Sequence, residues 1–303
     1  MTEKQAVGVI GLGAIGMGTA LSLARAGIKT HGCDLRQDAL DRLSEAGGQA
    51  ESSPAALADA VSVVMLFLVN AEQARAVLFG EDGAADRLGP GAIVVSCVTM
   101  SPQDAIDIGE ALADRNIGMV DAPTSGGAGR AEEGKTTYIA SGDPKHIEAV
   151  HFALEATSER IFRVGDEIGQ GSTVKTVHQL LAGVHIAAAM EAMALGMKMG
   201  VDAESLYEVV SACAGSSWMF QNRVPHVLAG DYTPLSAVDI FVKDLGLVLD
   251  AGKQTRFPLP IASTAYQQFV AASAAGYGGE DDSAVIKVYR DLVGFQLPGD
   301  SNE

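Results

Sequence analysis

Cysteine is scarce in this chain, with three residues among 303. Cys33, Cys97 and Cys213 are odd in number and widely spaced, which excludes a disulfide framework and matches no thiolate metal site. The first residues, Met-Thr-Glu-Lys-Gln, show no signal-peptide pattern. Since cytosolic proteins keep their thiols reduced, we expect three free thiols, no metal and a cytoplasmic location.

Basic residues are also few. Lys and Arg number 21 against 38 Asp and Glu, so the formal net charge is −17. A chain this acidic repels nucleic acids and anionic membrane surfaces, and neither is expected as a partner. An anionic small molecule would be repelled at long range too. A site for a carboxylate must therefore supply its own local positive groups.

Long hydrophobic runs are limited to two segments. Residues 61–69 are too few to span a bilayer. Residues 180–200 include His185, Glu191 and Lys198, which favours a core helix over a membrane span. That helix has more apolar surface than one small domain usually hides, so we expect a homodimer or homotetramer.

The first half of the chain alternates between short β-branched runs and Ala- and Leu-rich stretches of helical period. This alternation predicts an α/β fold with a doubly wound parallel sheet covered by helices on both faces. The six strand-like runs are residues 6–10, 29–33, 61–68, 92–97, 118–121 and 136–141.

After residue 165 the strand-like runs vanish, and the pattern predicts an all-α domain. It begins with a long interdomain helix at 172–200, followed by helices at 203–214, 237–253 and 261–275. We therefore expect an α/β domain over 1–165, a helical substrate and dimerisation domain over 166–297, and a tail over 298–303.

A glycine-rich turn follows the first strand-like run and opens a helix. Its glycines are Gly11, Gly13 and Gly16, with Ala14 and Ile15 between them. In a strand–turn–helix context this spacing predicts a Rossmann-type dinucleotide site, with pyrophosphate at the helix N-terminus. A plain glycine turn is the alternative.

Asp34 stands at the end of the second strand-like run, 18 residues after Gly16. An acidic residue there hydrogen-bonds the adenosine ribose and repels a 2′-phosphate, which favours NAD over NADP. Arg36 is close enough to weaken that preference. A solvated carboxylate at a strand end is the alternative for Asp34.

Two further segments contain candidate functional groups. Ser125, Gly126 and Gly127 follow the fifth strand-like run, where consecutive backbone amides can face a substrate carboxylate, although such a loop is more often an ordinary turn. Lys175 and His178 share one face of the long helix. The alternative for Lys175 is an exposed lysine near the start of a helix, and the alternative for His178 is a histidine in the core. Considered one at a time, each residue fits its alternative better. His178 and His185 lie about 10 Å apart along a helix, too far to share a metal ion.

Together these motifs resemble the β-hydroxyacid dehydrogenase family, which includes 3-hydroxyisobutyrate dehydrogenase and tartronate semialdehyde reductase. They match in order over nearly the whole chain. The matching segments are the glycine turn, Asp121-Ala-Pro-Thr-Ser-Gly-Gly, residues 169–178, Lys243-Asp-Leu and the stretch from Gly276 to Asp282-Ser-Ala.

The resemblance implies an NAD-dependent oxidation of a small hydroxy acid. It assigns Lys175 as the catalytic lysine, Ser125, Gly126 and Gly127 to the substrate carboxylate, Thr99 to the nicotinamide ribose, and Lys243 to the cofactor. Lysine is a good base near neutral pH only if its pKa is lowered, and we expect burial and nearby positive charge to lower it.

One position departs from the family pattern. His178 stands where the family usually has Asn, which favours a polyhydroxylated substrate such as a four-carbon sugar acid. A reductase or dehydrogenase of the tartronate semialdehyde or 3-hydroxyisobutyrate type is the first alternative, and an imine reductase the second. An NAD-binding sensor or scaffold without catalysis is the alternative outside enzymes.

Overall fold

The computed structural model describes residues 6–300. The first five residues, which lack a signal-peptide pattern, and residues 301–303, the end of the expected tail, lie outside the described residues. The chain divides into two compact units, one ending at Lys175 and one beginning at Thr176.

The first unit contains a nine-stranded sheet with the order β3-β2-β1-β4-β5-β6-β8-β7, and β9 pairs with β8. Strands β1 to β6 are mutually parallel, whereas β8 runs antiparallel to β6 and β7. The strands are β1 Val7–Ile10, β2 Thr30–Cys33, β3 Gln49–Ala50, β4 Val63–Leu66, β5 Ile93–Ser96, β6 Gly118–Asp121, β7 Thr124–Ser125, β8 Thr136–Ser141 and β9 Ser158–Gly165.

Alternating side chains of the central strands build two separate cores, one on each face of the sheet. In β4, Val63 and Met65 join one core, and Val64 and Leu66 join the other. Burial on both faces explains why these strands are continuous apolar runs in the sequence. The covering helices are α1 Ala14–Arg25, α2 Gln37–Glu45, α3 Pro54–Ala60, α4 Ala71–Phe79, α5 Pro102–Ala113, α6 Gly127–Glu132 and α7 Pro144–Glu155.

The second unit is helical. Its core includes Ile186, Met190 and Leu245, together with the stacked rings of Phe241 and Phe269, whose centroids are 5.1 Å apart. Helix α8, Gln170–Lys198, begins in the first unit and continues into the second. It is followed by α9 Ala203–Ala212, α10 Trp218–Ala229, α11 Val238–Thr255, α12 Pro260–Ala272 and α13 Val285–Val293.

Among the described residues, α8 is the one helix long and apolar enough to cross a bilayer by length and composition, and 44% of its most apolar window is buried. A core helix of a globular protein meets the same criterion.

The predicted fold class is confirmed, and all six predicted strands are present. The sequence analysis missed β9, an edge strand with no fully buried residue, in which Ile161, Phe162 and Val164 do not alternate regularly with polar residues. It also missed the two-residue strands β3 and β7. Among the helices of the second unit it missed α13, Val285–Val293, and α10, which follows the N-cap Ser217 and contains Pro225. The second half of the sheet is mixed rather than purely parallel, because β8 reverses direction. Three residues of the expected tail, 298–300, are described, and Asp300 accepts hydrogen bonds from Leu297 N and Arg290.

The thiols differ sharply in exposure, and this gives a test of the fold. Burial raises the pKa of Cys33 to about 11 and that of Cys97 well above its ordinary value, whereas Cys213 is exposed. We expect one thiol per native chain to react rapidly with an aromatic disulfide reagent at about pH 8, and three after denaturation. Cys213→Ser should abolish the rapid phase, and a second rapid thiol in the native protein would contradict the structure.

Candidate active site

The glycine turn between β1 and α1 has the shape that a dinucleotide needs. Gly11 has φ +89°, and a Cβ there would lie 2.2 Å from the Phe67 carbonyl oxygen. A Cβ at Gly16 would lie 1.9 Å from the Gly11 carbonyl oxygen, so only glycine allows this close packing. At Gly13, by contrast, no described atom lies within 4 Å of the Cβ position.

This open space lies at the start of α1, where backbone N–H groups have no partner within the helix and attract phosphate. Gly13 and Ala14 are exposed, and Ile15 is half-buried. The sheet order reverses between β1 and β4, so the turn also lies at the topological switch point where such folds bind ligands. The residues present therefore fit a dinucleotide.

Asp34, directly after β2, is hydrogen-bonded to this turn. Its Oδ2 accepts the Leu12 N–H at 2.7 Å, and its Oδ1 accepts the Arg36 N–H at 2.9 Å and Arg36 Nε at 3.2 Å. Partial burial works to raise the pKa of Asp34, but these donors hold it below its ordinary value. A carboxylate has about four acceptor positions, so acceptor capacity remains for ribose hydroxyls. The Arg36 guanidinium also donates to the Leu12 carbonyl, 2.9 Å away.

Thr99 lies in the loop between β5 and α5, at the carboxyl end of a central strand, and is partly buried. Strands β1 and β5 are parallel and both neighbour β4. Thr99 and the glycine turn therefore lie at the same edge of the sheet.

The loop Ser125-Gly126-Gly127 connects β7 to α6. Gly126 has φ +128° and Gly127 φ +72°, conformations that side-chain-bearing residues rarely adopt. Consecutive residues in such conformations can form a turn whose backbone amides face an anion. Gly127 is exposed, and Ser125 and Gly126 are half-buried.

The structure brings Lys175 to this loop. Its side chain is buried, and Nζ donates to the Thr124 carbonyl oxygen at 2.7 Å. Thr124 directly precedes Ser125, so the expected catalytic amine and the expected carboxylate loop lie together within the first unit. The residues around Lys175 do not by themselves predict that it lies beside this loop. Only the family resemblance, which assigns both to substrate, indicated it.

A buried carboxylate that the sequence analysis left without a role fixes the start of α8. Asp121, at the end of β6, accepts Ser172 N–H and Ser172 Oγ, each at 2.8 Å, and Gly169 N–H at 3.1 Å. Burial raises the pKa of Asp121, and the hydrogen bonds from Ser172 and Gly169 oppose that shift. Ser141 Oγ accepts the Gly171 N–H at 2.9 Å. These contacts hold the helix turn that precedes Lys175.

The second unit contains the other two predicted site residues, His178 and Lys243, together with Gln179 and Asp244. From the sequence, Asp244 is expected either to orient Lys243 or to be an exposed carboxylate on the helix. His178 Nδ1 lies 2.9 Å from Gln179 Oε1, and Gln179 Nε2 donates to Asp244 Oδ2. Asp244 Oδ1 forms an ion pair with Lys243 Nζ at 2.6 Å. Asp244 is 2% exposed, so it is not a solvated helix carboxylate but a buried partner that orients Lys243.

Gln179 directly follows the matched segment 169–178, but its partner Asp244 is 65 residues away, so no local pattern indicated this contact. The two aromatic residues Trp218 and Phe220, both near the start of α10, differ in exposure. Phe220 is buried and stacks on Tyr207 at 5.9 Å, whereas Trp218 is exposed. Among the described residues, no group of three or more His, Cys, Asp or Glu side chains is placed to hold a metal ion.

Two family models match the chain, one in each half. Residues 6–165 match the NAD binding domain of 6-phosphogluconate dehydrogenase. Residues 169–289 match the model described as NAD-binding of NADP-dependent 3-hydroxyisobutyrate dehydrogenase. The glycine turn lies in the first match, and Lys175, His178 and Lys243 lie in the second.

Similar proteins extend over almost the entire chain. L-Threonate dehydrogenase of Cupriavidus necator is 53% identical, covering 97% of this chain and 98% of its own length. L-Threonate dehydrogenase of Escherichia coli K12 is 52% identical, covering 97% and 96%. A crystal structure of 3-hydroxyisobutyrate dehydrogenase from Salmonella typhimurium is 51% identical with a TM-score of 0.90, covering 94% of this chain and 99% of that one.

Identity at this level over full length, with both family models matched in order, shows more than a shared fold. The relatives have the names of hydroxy-acid dehydrogenases, and both family models are described as NAD-binding. The chain belongs to the β-hydroxyacid dehydrogenase family, the nicotinamide-dependent dehydrogenases that include 3-hydroxyisobutyrate dehydrogenase.

Proposed function

We propose that the chain oxidises L-threonate with NAD, giving the 2-keto acid 2-dehydro-L-erythronate, with Lys175 as general acid–base. The observation that supports this most directly is the Lys175 Nζ contact with the Thr124 carbonyl, next to Ser125, Gly126 and Gly127. An amine beside an anion-binding loop is the pair of groups that oxidation of a hydroxy-carboxylate needs.

The chemistry divides between the cofactor and the chain. Bound NAD supplies the acceptor for the hydride that leaves the hydroxyl-bearing carbon. The amides of Gly126 and Gly127 and the Ser125 side chain bind the substrate carboxylate. Neutral Lys175 takes the hydroxyl proton as the C–H bond breaks, and the resulting ammonium polarises the new carbonyl. Products are the keto acid, NADH and one proton delivered to solvent.

The choice of substrate rests on two independent observations. The Cupriavidus and Escherichia relatives at 52–53% identity are named for L-threonate. His178 stands where the family usually has Asn. An imidazole can hydrogen-bond the hydroxyl groups of a sugar acid but not the methyl group of 3-hydroxyisobutyrate. The Salmonella structure is named for 3-hydroxyisobutyrate at similar identity, so that acid is the second candidate. We place the reaction in the breakdown of sugar acids in the cytoplasm.

We also propose that α8 joins two copies of the chain. Apolar residues with helical spacing are exposed along its length, including Val177 at 58%, Leu181 at 51% and Leu195 at 61%. A continuous stripe on one helix suits a two-fold interface, since the same face then meets itself. The stripe consists of Val174, Val177, Leu181, Val184, Ala188, Ala192, Leu195 and Met199.

Loss of the lysine amine should abolish turnover but leave cofactor binding. NADH formation at 340 nm would be followed with L-threonate, D-threonate, D-erythronate, D-glycerate and 3-hydroxyisobutyrate. We expect L-threonate to be the best substrate and Lys175→Ala to lose ~10²–10⁴ in kcat. Lys175→Met, which keeps the apolar stem, should behave alike.

Lys135→Ala serves as the matched control, because Lys135 is an exposed lysine of the same unit, paired with Glu133. Near-normal kcat in both Lys175 variants would remove the mechanism. Binding of NADH with no oxidation of any acid would favour an imine reductase or a non-catalytic binder. If 3-hydroxyisobutyrate is oxidised in preference to L-threonate, it is the substrate and the L-threonate assignment is wrong.

Cofactor choice depends on Asp34. Because its carboxylate would face a 2′-phosphate, Asp34→Asn should raise kcat/KM with NADP relative to NAD by about tenfold, near 1.4 kcal/mol. Arg36→Ala is the opposing control and should lower the residual use of NADP. A native protein that works better with NADP than with NAD would contradict the assignment.

The proposed interface predicts an oligomer in solution. Light scattering should give at least twice the 31.3 kDa chain mass. Leu181→Glu should shift the protein towards the monomer, since an isologous contact would bring the two new charges close together. Leu292→Glu is the control, because Leu292 is 75% exposed outside the stripe. A monomeric native protein would exclude the interface.

A further inference from the structure

Within the first unit, α6 packs directly against α1, the helix that begins at the dinucleotide turn. A Cβ at Gly18 of α1 would lie 2.6 Å from the Ala131 carbonyl carbon and 2.7 Å from the Glu132 nitrogen. Ala131 is fully buried in this contact. The two helix backbones therefore touch at Gly18, and even a methyl side chain there would force them apart.

Two polar side chains of α1 bind the end of α6. Ser22 Oγ donates to the Ala131 carbonyl oxygen at 3.2 Å, and the Arg25 guanidinium donates to Ser22 Oγ at 2.7 Å and to the Glu132 carbonyl oxygen. The last carbonyl groups of a helix have no partner within it and have a partial negative charge, so a hydroxyl and a cation stabilise them. Gly18, Ser22 and Arg25 are spaced by four and three residues and share one face, called here the α1 contact face.

The other end of α6 is joined to the loop that is proposed to bind the substrate carboxylate. Gly126 directly precedes the helix, and Gly127 is its first residue. Since α6 has only six residues, it is about 9 Å long. A shift at the end held by α1 therefore displaces the loop at the other end as well.

We propose that the α1 contact face positions the substrate loop, by holding α6 so that the amides of Gly126 and Gly127 stay in place for the carboxylate. Gly18, Ser22 and Arg25 act through α6 and are positioning residues. The part of this proposal that concerns the substrate rests on the proposed function. One helix then determines the place of both ligands, the dinucleotide through its N-terminus and the hydroxy acid through its contact face.

The kinetic consequence follows from the population of the correctly placed loop. A site that is competent for only a fraction of the time binds its ligand more weakly by that fraction. Weakening the contact between α1 and α6 therefore raises the KM for the acid. At saturating acid the loop is in its bound position, so kcat changes little. A general loss of folded protein would instead lower kcat and leave KM unchanged.

Arg25→Ala removes the cation from the end of α6 and leaves the backbone contact at Gly18. We expect the KM for L-threonate to rise about fivefold, with kcat and the Kd for NADH changed less than about twofold. Arg25→Lys keeps a charged donor and should return the KM to within about twofold of the native value. Arg115→Ala is the matched control, because the exposed Arg115 donates to a carbonyl of α5, that of Ala111, at 2.9 Å.

Gly18→Ala tests the backbone contact itself. Because the atoms that the new Cβ meets belong to the α6 backbone, α6 must shift, and the KM for L-threonate should rise about tenfold or more. Gly109→Ala is the control for this change. Gly109 is a helical glycine of α5, where a Cβ would lie 3.4 Å from the nearest atoms, which are side-chain atoms of Ile168. It should keep the native KM.

Amide hydrogen exchange tests the contact between α1 and α6 without any substrate. The amides of Glu133, Gly134 and Lys135 are bonded to carbonyl groups of α6. In Arg25→Ala and Gly18→Ala, exchange in a peptide covering residues 127–135 should become at least about fivefold faster, whereas a peptide covering 102–113 in α5 should be unchanged. Unchanged exchange in both folded variants would overturn the proposal whatever the substrate is.

An unchanged KM for L-threonate in variants whose α6 exchanges faster would also overturn it, because α6 would then not position the carboxylate. A fall in kcat at unchanged KM would do the same. If the native protein oxidises no acid, the proposed function fails, and hydrogen exchange alone decides whether the α1 contact face holds α6. The two failures are thereby distinguishable.

Discussion

The buried carboxylate of Asp121 is the interaction on which the candidate site of the first unit depends. It stands at the carboxyl end of β6 and accepts three donors from the start of α8, two from Ser172 and one from Gly169. A helix N-terminus has unsatisfied amides and a partial positive charge, so a carboxylate there both caps and stabilises it. Together with the hydrogen bond from Gly171 N–H to Ser141 Oγ, this contact holds the start of α8 on the sheet.

Lys175 depends on that origin because it lies one turn further along the helix. Its amine is buried and donates to the Thr124 carbonyl, and burying a polar group is costly unless it has such a partner. The same short segment, residues 121–127, thus supplies the carboxylate that holds the helix, the carbonyl that receives the lysine and the glycines that face an anion. Because these three roles fall within seven residues, the whole segment 121–127 resembles a family motif.

In the second unit a buried carboxylate, Asp244, likewise holds neighbouring side chains in place. Asp244 contacts Lys243 on one side and Gln179 on the other, and Gln179 in turn contacts His178. A low local dielectric strengthens such hydrogen bonds and makes an unsatisfied member expensive. The side chain that distinguishes this protein from the usual family pattern is therefore held by buried neighbours rather than by solvent.

The sequence by itself determined the fold class, the dinucleotide turn and the six central strands, because these depend on local rules. Apolar runs mark strands buried on both faces, and glycine spacing marks the turn that needs φ above zero at Gly11 and close packing at Gly16. The ordered motifs also indicated Lys175 and the Ser125–Gly127 loop as partners, although they lie about 50 positions apart. Only the tertiary structure decided which groups hold them. Asp121 and Gln179 act through contacts 51 and 65 residues away in the chain, to Ser172 and Asp244. No local pattern encodes such a distance, since burial and hydrogen-bond partners arise only when the sheet and the helices have packed.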